Sequence, residues 1–213
     1  MEDRRERLLG ARLYLVCDRR PEEFLAGALR GGVDIVQLRC KDTPDRDVID
    51  AARPIRLLCA AHGALFILND RPDLVDATGA DGVHLGQDDM RVGLARELIG
   101  EDRLIGLSTH SPEQIDGAAG ADYIGVGPVH ETPTKPGRPA VGLELVRYAA
   151  AHATVPWFAI GGIGPDNVDA VRGAGAERVA VVRALTEAGD PERAALGLRA
   201  ALRDRLKATV GPT

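Results

Sequence analysis

Apolar residues come in short runs separated by stretches of helical period, and this alternation continues from one end of the chain to the other. The runs are 13–18, 35–39, 64–69, 82–86, 104–109, 123–128, 157–163 and 178–185. Each is short and rich in Val, Ile, Leu or aromatic residues, and most have Gly, Asp or Asn at one end, as expected of buried parallel strands. Helical composition fills 21–31, 45–62, 90–99 and 114–120, and 191–207 carries Ala, Leu and Arg at helical spacing. Eight strand–helix units predict an α/β fold, a TIM (β/α)8 barrel spanning 1–213 as a single domain, with 1–12 an N-terminal extension or helix. An open doubly wound sheet is the rival, but it more often has five or six strands. No GxGxxG follows the first run and no Walker loop occurs.

Four joints repeat one theme: Gly32-Val33-Asp34, Gly79-Ala80-Asp81, Gly120-Ala121-Asp122 and Gly175-Ala176-Glu177. Each ends a helix and starts a strand, and glycine suits the left-handed cap that this requires. In a barrel these joints lie on the face away from the chemistry. The one long irregular stretch is 130–142, rich in Thr, Pro, Gly and Lys, after the sixth strand. A loop of that length is more often functional than decorative.

Composition narrows the function. A length of 213 residues suits one barrel, at the lower end of the range. No apolar run reaches the roughly eighteen residues of a membrane span, and the first residues lack a secretory signal's apolar core. Cys17, Cys40 and Cys59 are odd in number and form no CxxC pair, which argues against a disulfide framework or thiolate metal site and for a reducing cytoplasm. The net charge is −5 with both signs interleaved, and aromatics are only 3%, so neither nucleic acid nor membrane is an expected partner. His62, His84, His110, His130 and His152 show no metal-ligand spacing, and no Ser/His/Asp set can be assembled. Homo-oligomerisation stays open.

Active sites of such barrels form where the strands end. Strand two ends Gln37-Leu38-Arg39-Cys40-Lys41. By strand alternation Gln37, Arg39 and Lys41 share the inward face, while Leu38 and Cys40 face the outer helices. Arg and Lys together suit a diphosphate; chance charges on a solvated strand end are the plain alternative. Strand three ends Asn69-Asp70-Arg71, and strand four runs into Gly86-Gln87-Asp88-Asp89. Carboxylates there suit Mg²⁺ bridging to a substrate phosphate, although each alone could cap a helix. Ser108 at the end of strand five can hydrogen-bond a heteroaromatic ring or a phosphate, and Ser111 reads as an N-cap. Thr132-Pro133-Thr134-Lys135 offers two hydroxyls and an ammonium. Gly161-Gly162 after strand seven, with Val182-Arg183 after strand eight, forms the usual phosphate site of these barrels; a tight turn needing glycine is the alternative. The rim thus carries two anion sites, a cationic diphosphate site on strands two to four and a monophosphate site on strands seven and eight.

The ordered motifs Val36-Gln37-Leu38-Arg39-Cys40-Lys41-Asp42, Leu68-Asn69-Asp70, Gly82-Val83-His84-Leu85-Gly86-Gln87-Asp88-Asp89, Gly125-Val126-Gly127-Pro128, Thr132-Pro133-Thr134-Lys135 and Ala159-Ile160-Gly161-Gly162-Ile163 resemble the thiamine-phosphate synthase family. The resemblance implies transfer of an aminopyrimidine-methyl group from its diphosphate to the nitrogen of thiazole phosphate, or of its carboxylated form, by a dissociative reaction with one Mg²⁺ per subunit. It implies that Gln37, Leu38, Arg39, Cys40, Lys41, Asn69, Ser108 and Lys135 contact the pyrimidine diphosphate. Arg39, Lys41, Lys135 and Ser108 would be catalytic, and Asp70 and Asp89 would hold the metal. Thr132, Pro133, Thr134, Gly162, Val182 and Arg183 would hold the thiazole phosphate. Two positions depart from the family pattern: Arg183 stands where relatives often have serine, and His130-Glu131 stand where an aromatic and proline are frequent. A TenI-type thiazole tautomerase and a non-catalytic binding protein of the same pathway are the rivals. Such tautomerases tend to carry histidine where this chain has Pro128.

Overall fold

In a computed structural model, which describes residues 3–132 and 139–203, eight parallel strands pair in sequence order and close, the last on the first. They are β1 (Leu13–Cys17), β2 (Ile35–Leu38), β3 (Leu65–Asn69), β4 (Gly82–Leu85), β5 (Leu104–Thr109), β6 (Tyr123–Val126), β7 (Trp157–Ile160) and β8 (Val179–Val181). The helices are α1 (Arg4–Gly10), α2 (Glu22–Arg30), α3 (Asp45–His62), α4 (Val75–Thr78), α5 (Val92–Ile99), α6 (Pro112–Asp116), α7 (Gly142–His152), α8 (Val168–Gly173), α9 (Arg183–Thr186) and α10 (Pro191–Arg203), with a 3₁₀ turn at Pro72–Leu74. This is the expected (β/α)8 barrel. Most strands end before their apolar runs do. The ladder stops at Leu38, Leu85, Val126, Ile160 and Val181, and the rest of each run shapes the rim. Helix α6 starts earlier than its composition suggests. Ser111 accepts the Gln114 N–H at 3.3 Å as its N-cap, and Pro112 fills the first turn where its missing N–H costs nothing.

Period-two alternation sorts the core into two layers. Tyr14, Val16, Ile35, Leu65, Ile67, Leu104, Tyr123, Phe158 and Ala180 fill the barrel interior. Leu13, Leu15, Val36, Leu38, Phe66, Leu68, Val83, Ile105, Val179 and Val181 pack outward against the helices. Leu8 and Ala11 join the inner cluster, so the segment before β1 closes the N-terminal mouth as a plug. The interior aromatics meet edge to face: Phe158 lies 5.3 Å from Tyr14 and 5.8 Å from Tyr123 between centroids.

The repeated joints lie at that closed mouth. Gly32, Gly79, Gly120 and Gly175 all have positive φ, between 66° and 108°, where a side chain would be strained. The acid that follows each of the first three ties strand starts to arginines. Asp34 accepts the Arg12 and Leu13 N–H groups at 2.7 and 2.9 Å and pairs with Arg199. Asp81 accepts the Phe66 N–H at 3.0 Å and the side chains of Arg4 and Arg7. Asp122 accepts the Ile105 N–H at 2.8 Å, Arg96 at 2.6 Å and Arg5 at 3.0 Å. Three of these arginines belong to α1, so the same pairs that finish the sheet hold the plug.

Asp122→Ala strands one backbone donor and two guanidinium groups in a mostly buried place. We expect a loss of about 3 kcal/mol in urea unfolding. Activity at 25 °C should be retained, because the site lies at the opposite mouth. A change below about 0.5 kcal/mol would show that these pairs do not support the barrel.

Candidate active site

The C-terminal mouth opens into a cavity of about 700 Å³, within the usual range for small-ligand sites. Its walls follow the strand order. Gln37, Arg39 and Lys41 come from the end of β2, and Asn69 and Asp70 from β3. His84, Gly86, Asp88 and Asp89 come from β4, and Ser108 and His110 from β5. Gly127, Pro128 and Thr132 follow β6, 161–167 follow β7, and Val182 and Arg183 follow β8. Of the residues expected at the site, Gln37, Arg39, Lys41, Asn69, Asp70, Asp89, Ser108, Thr132, Gly162, Val182 and Arg183 therefore face one cavity. Leu38 is buried in the outer core and Cys40 packs against it, so any part either plays in ligand contact falls to its backbone. Pro133, Thr134 and Lys135 lie outside the described residues.

Asp70 and Asp89 meet side chain to side chain. Neither caps a helix: Arg91 precedes α5, Arg71 precedes the 3₁₀ turn, and neither start has a side-chain cap. Asp89 accepts the Gly86 N–H at 2.6 Å, which points its carboxylate across the β4 end. Asp70 adopts a left-handed backbone, φ 62°, and its N–H donates to the His84 carbonyl at 2.9 Å. Burial, and then contact with Asp89, push the Asp70 carboxyl up to about 6; Asn69 and Lys41 oppose the shift. Two carboxylates held this close repel unless a proton or a cation lies between them.

The β7 turn is built for close backbone approach. Gly161 and Gly162 have φ of 108° and 62°. A Cβ on Gly161 would press on Pro128, and one on Gly162 on His130. Asn167 pins the turn, accepting the Gly164 N–H at 2.9 Å and donating to the Gly162 carbonyl at 2.8 Å. Val182 and Arg183, at the start of α9, face the same end of the cavity.

The floor is polar, which residue types alone did not reveal. Gln37 Nε2 donates to Tyr14 Oη at 2.6 Å, and Tyr14 Oη meets Tyr123 Oη at 2.9 Å. Tyr123 Oη meets His84 Nδ1 at 3.2 Å, and His84 Nε2 meets Ser108 Oγ at 3.0 Å. Five side chains thus link the β2 wall to the β5 wall beneath the cavity. Gly106 makes room for them, since a Cβ there would overlap the Tyr123 ring and the His84 imidazole. Sequence reasoning missed Tyr14 and Tyr123 and gave His84 no role beyond noting that it lacks metal-ligand spacing. The usable signal was parity: Tyr14 lies two residues from the inward Val16, and Tyr123 two from the inward Gly125.

A family model described as thiamine monophosphate synthase matches residues 13–185, from β1 through β8. A thiamine-phosphate synthase of Thermobifida fusca is 52% identical over 207 residues, covering 93% of this chain and 95% of that protein. One from a Nostoc species is 54% identical over 194 residues, covering 88% of this chain and 55% of that protein, so the chain spans about half the length of some curated relatives and nearly all of others. Among solved structures, a thiamine phosphate pyrophosphorylase from Pyrococcus furiosus superposes with a TM-score of 0.82 at 34% identity, covering 93% of this chain and 96% of that one. Matched from first strand to last, and half identical to a relative of nearly equal length, the chain belongs to the thiamine monophosphate synthase family.

Proposed function

We infer that the chain is a thiamine-phosphate synthase, a transferase that joins an aminopyrimidine-methyl diphosphate to a thiazole phosphate and releases pyrophosphate. One observation carries the reading of the geometry: a single cavity has a cationic end, with Arg39 and Lys41 beside Asp70 and Asp89, and a glycine-lined end, with Gly161–Gly162 facing Val182–Arg183. The first suits a diphosphate and the second a monophosphate. In this reading Gln37, Asn69 and Ser108 hold the pyrimidine diphosphate with Arg39 and Lys41. Leu38 and Cys40 offer backbone groups beside them. Lys135 assists the leaving group, and Thr132, Pro133, Thr134, Gly162, Val182 and Arg183 hold the thiazole phosphate. Arg183 adds charge where relatives often have serine.

The meeting of Asp70 and Asp89 fits Mg²⁺. That ion takes one or two carboxylates and completes its shell with substrate phosphate and water. Two protein carboxylates would leave the rest of that shell to the substrate and water. The ion would supply charge stabilisation on the departing diphosphate. Arg39 and Lys41 would hold the same oxygens as the bond between the methylene carbon and the diphosphate oxygen breaks. The electron-rich ring stabilises the resulting cation. The thiazole nitrogen, positioned by its anchored phosphate, then attacks the methylene carbon. No protein nucleophile is needed, in keeping with a sequence from which no Ser/His/Asp set can be assembled. No helix among the described residues is long and apolar enough to cross a membrane, and Cys17, Cys40 and Cys59 are free thiols; both suit an enzyme of phosphorylated small molecules in the reducing cytoplasm.

The deciding assay mixes the two substrates with Mg²⁺ and measures thiamine phosphate and pyrophosphate in equal amounts. If the protein makes neither but interconverts thiazole tautomers, the tautomerase reading replaces this one. Lys41→Ala should lower kcat by about a hundredfold and leave the KM for thiazole phosphate within about twofold. Equal losses in both would contradict two separate anion sites.

Without metal, the raised Asp70 carboxyl costs stability as pH climbs. Its folded-state proton is held more tightly than in the unfolded chain, so the group's support for folding is full below the ordinary value of 3.8 and is lost as pH rises through about 6. Asp70→Asn should therefore melt higher than the parent in EDTA at pH 8, by about 1 kcal/mol after allowing for its half-exposed position, and no higher at pH 4. Adding Mg²⁺ at pH 8 should raise the parent's melting temperature and leave that of Asp70→Asn unchanged. A parent that does not respond to Mg²⁺ would count against the metal site.

A further inference from the structure

The hydrogen-bonded floor has a direction. Tyr14 and Tyr123 are buried to 2% and 0% exposure, and burial pushes both phenols up from their ordinary range, so each keeps its single proton. A buried proton without an acceptor is costly. Gln37 Nε2 donates to Tyr14 Oη, and the Tyr14 proton then points to Tyr123 Oη, its other partner in the row. The Tyr123 proton in turn points to His84 Nδ1. A neutral imidazole that accepts at Nδ1 carries its one N–H on Nε2, where it donates to Ser108 Oγ. The Ser108 hydroxyl, having accepted from below, turns its own proton to the cavity. At the far end the Gln37 amide, having donated through Nε2, leaves its carbonyl oxygen for the cavity it lines.

We propose that Tyr14, Tyr123 and His84 are positioning residues that hold Gln37 as an acceptor and Ser108 as a donor, so that the site takes a 4-aminopyrimidine and rejects its 4-oxo counterpart. This rests on the reading above that Gln37 and Ser108 flank the pyrimidine ring. The exocyclic amino group donates to Gln37 Oε1, and a ring nitrogen accepts from Ser108. With the ring anchored through its diphosphate, a 4-oxo group sets its carbonyl oxygen against the Gln37 carbonyl oxygen. A buried polar group left unpaired in this way discriminates far more strongly than a missing methylene. Tyr14 and Tyr123 are buried and His84 is half-buried in the cavity floor, and in this proposal all three work through Gln37 and Ser108. They act by fixing which way each end of the row can turn: reversing the Gln37 amide would send every proton the other way and present a donor at Gln37 and an acceptor at Ser108.

The test compares kcat/KM for the 4-amino substrate with that for the same diphosphate bearing a 4-oxo group, at saturating thiazole phosphate and Mg²⁺. The parent should prefer the amino ring by about a hundredfold or more. Tyr123→Phe removes the central hydroxyl with little change of shape and frees both ends. The preference should fall at least tenfold, mostly through KM for the pyrimidine diphosphate, with KM for thiazole phosphate within twofold. His84→Gln keeps an acceptor toward Tyr123 and a donor toward Ser108, so it should retain the preference. His84→Leu should lose it, and comparing these two separates polarity from packing should Tyr123→Phe prove unstable. If Tyr123→Phe or His84→Leu loses the same factor on both rings, or the parent accepts them equally, the proposal is overturned. If the parent makes no thiamine phosphate at all, the failure belongs to the functional reading instead.

Discussion

Closing eight parallel strands into a barrel forces every second side chain of every strand into one small interior, and the rest of this molecule answers to that constraint. The interior has to be filled, and here Tyr14, Tyr123 and Phe158 supply the volume. Two of those rings carry hydroxyls that water cannot reach, so each must find a partner inside. They find each other, Gln37 and His84. The polar floor of the cavity is thus a consequence of packing aromatics in a barrel, and Gly106 on β5 is the space left for it. Filling the interior and preparing the ligand surface are one act.

The two mouths solve opposite problems. At the N-terminal mouth the ends of the strands must be closed. Asp34, Asp81 and Asp122 take up strand-start N–H groups and draw in arginines, three of them from α1, whose Leu8 enters the interior. At the C-terminal mouth the ends must stay open. There the chain turns away from the ladder early, with glycine at Gly86 and Gly161–Gly162 and a left-handed Asp70. Rigid closure at one end allows the other to carry strained turns and unpaired charge.

Parity and period made most of this legible. Alternation placed Gln37, Arg39 and Lys41 together and turned Leu38 outward, and each of them faces as expected because a strand one residue out of register would turn its apolar set into the cavity. The glycine–acid joints were legible as a bottom-face device, but their arginine partners were not: Arg199 reaches Asp34 from the last helix and Arg96 reaches Asp122 from α5, and periodicity does not say which helix neighbours which strand. Tyr14 and Tyr123 were illegible for a different reason. Each lies inside an apolar run, where an inward tyrosine looks the same as an inward phenylalanine, and only the three-dimensional register shows that the two hydroxyls meet. The side-chain contact of Asp70 with Asp89 was legible as a neighbourhood, from adjacent strand ends, and not as a contact.

The distribution of charge follows from the same division. The chain is acidic overall, at −5, yet it is read here as holding two anions at one mouth. Many of its carboxylates are engaged elsewhere: Asp34, Asp81, Asp122 and Glu177 are paired with arginines at the N-terminal mouth, where they offset cations that seal the plug. What an approaching phosphate meets is the opposite mouth, with Arg39, Lys41 and Arg183 on the cavity wall and the backbone of the glycine turn beside Arg183. Fields from charges a barrel length away are screened over about 10 Å of salt solution, whereas those inside the cavity are not. The acids that do share the phosphate mouth, Asp70 and Asp89, repel each other, and their repulsion is relieved by a cation that also attracts the diphosphate. Net charge is therefore a poor guide to this chain's ligands, and the placement of a few charges along the barrel axis is a good one.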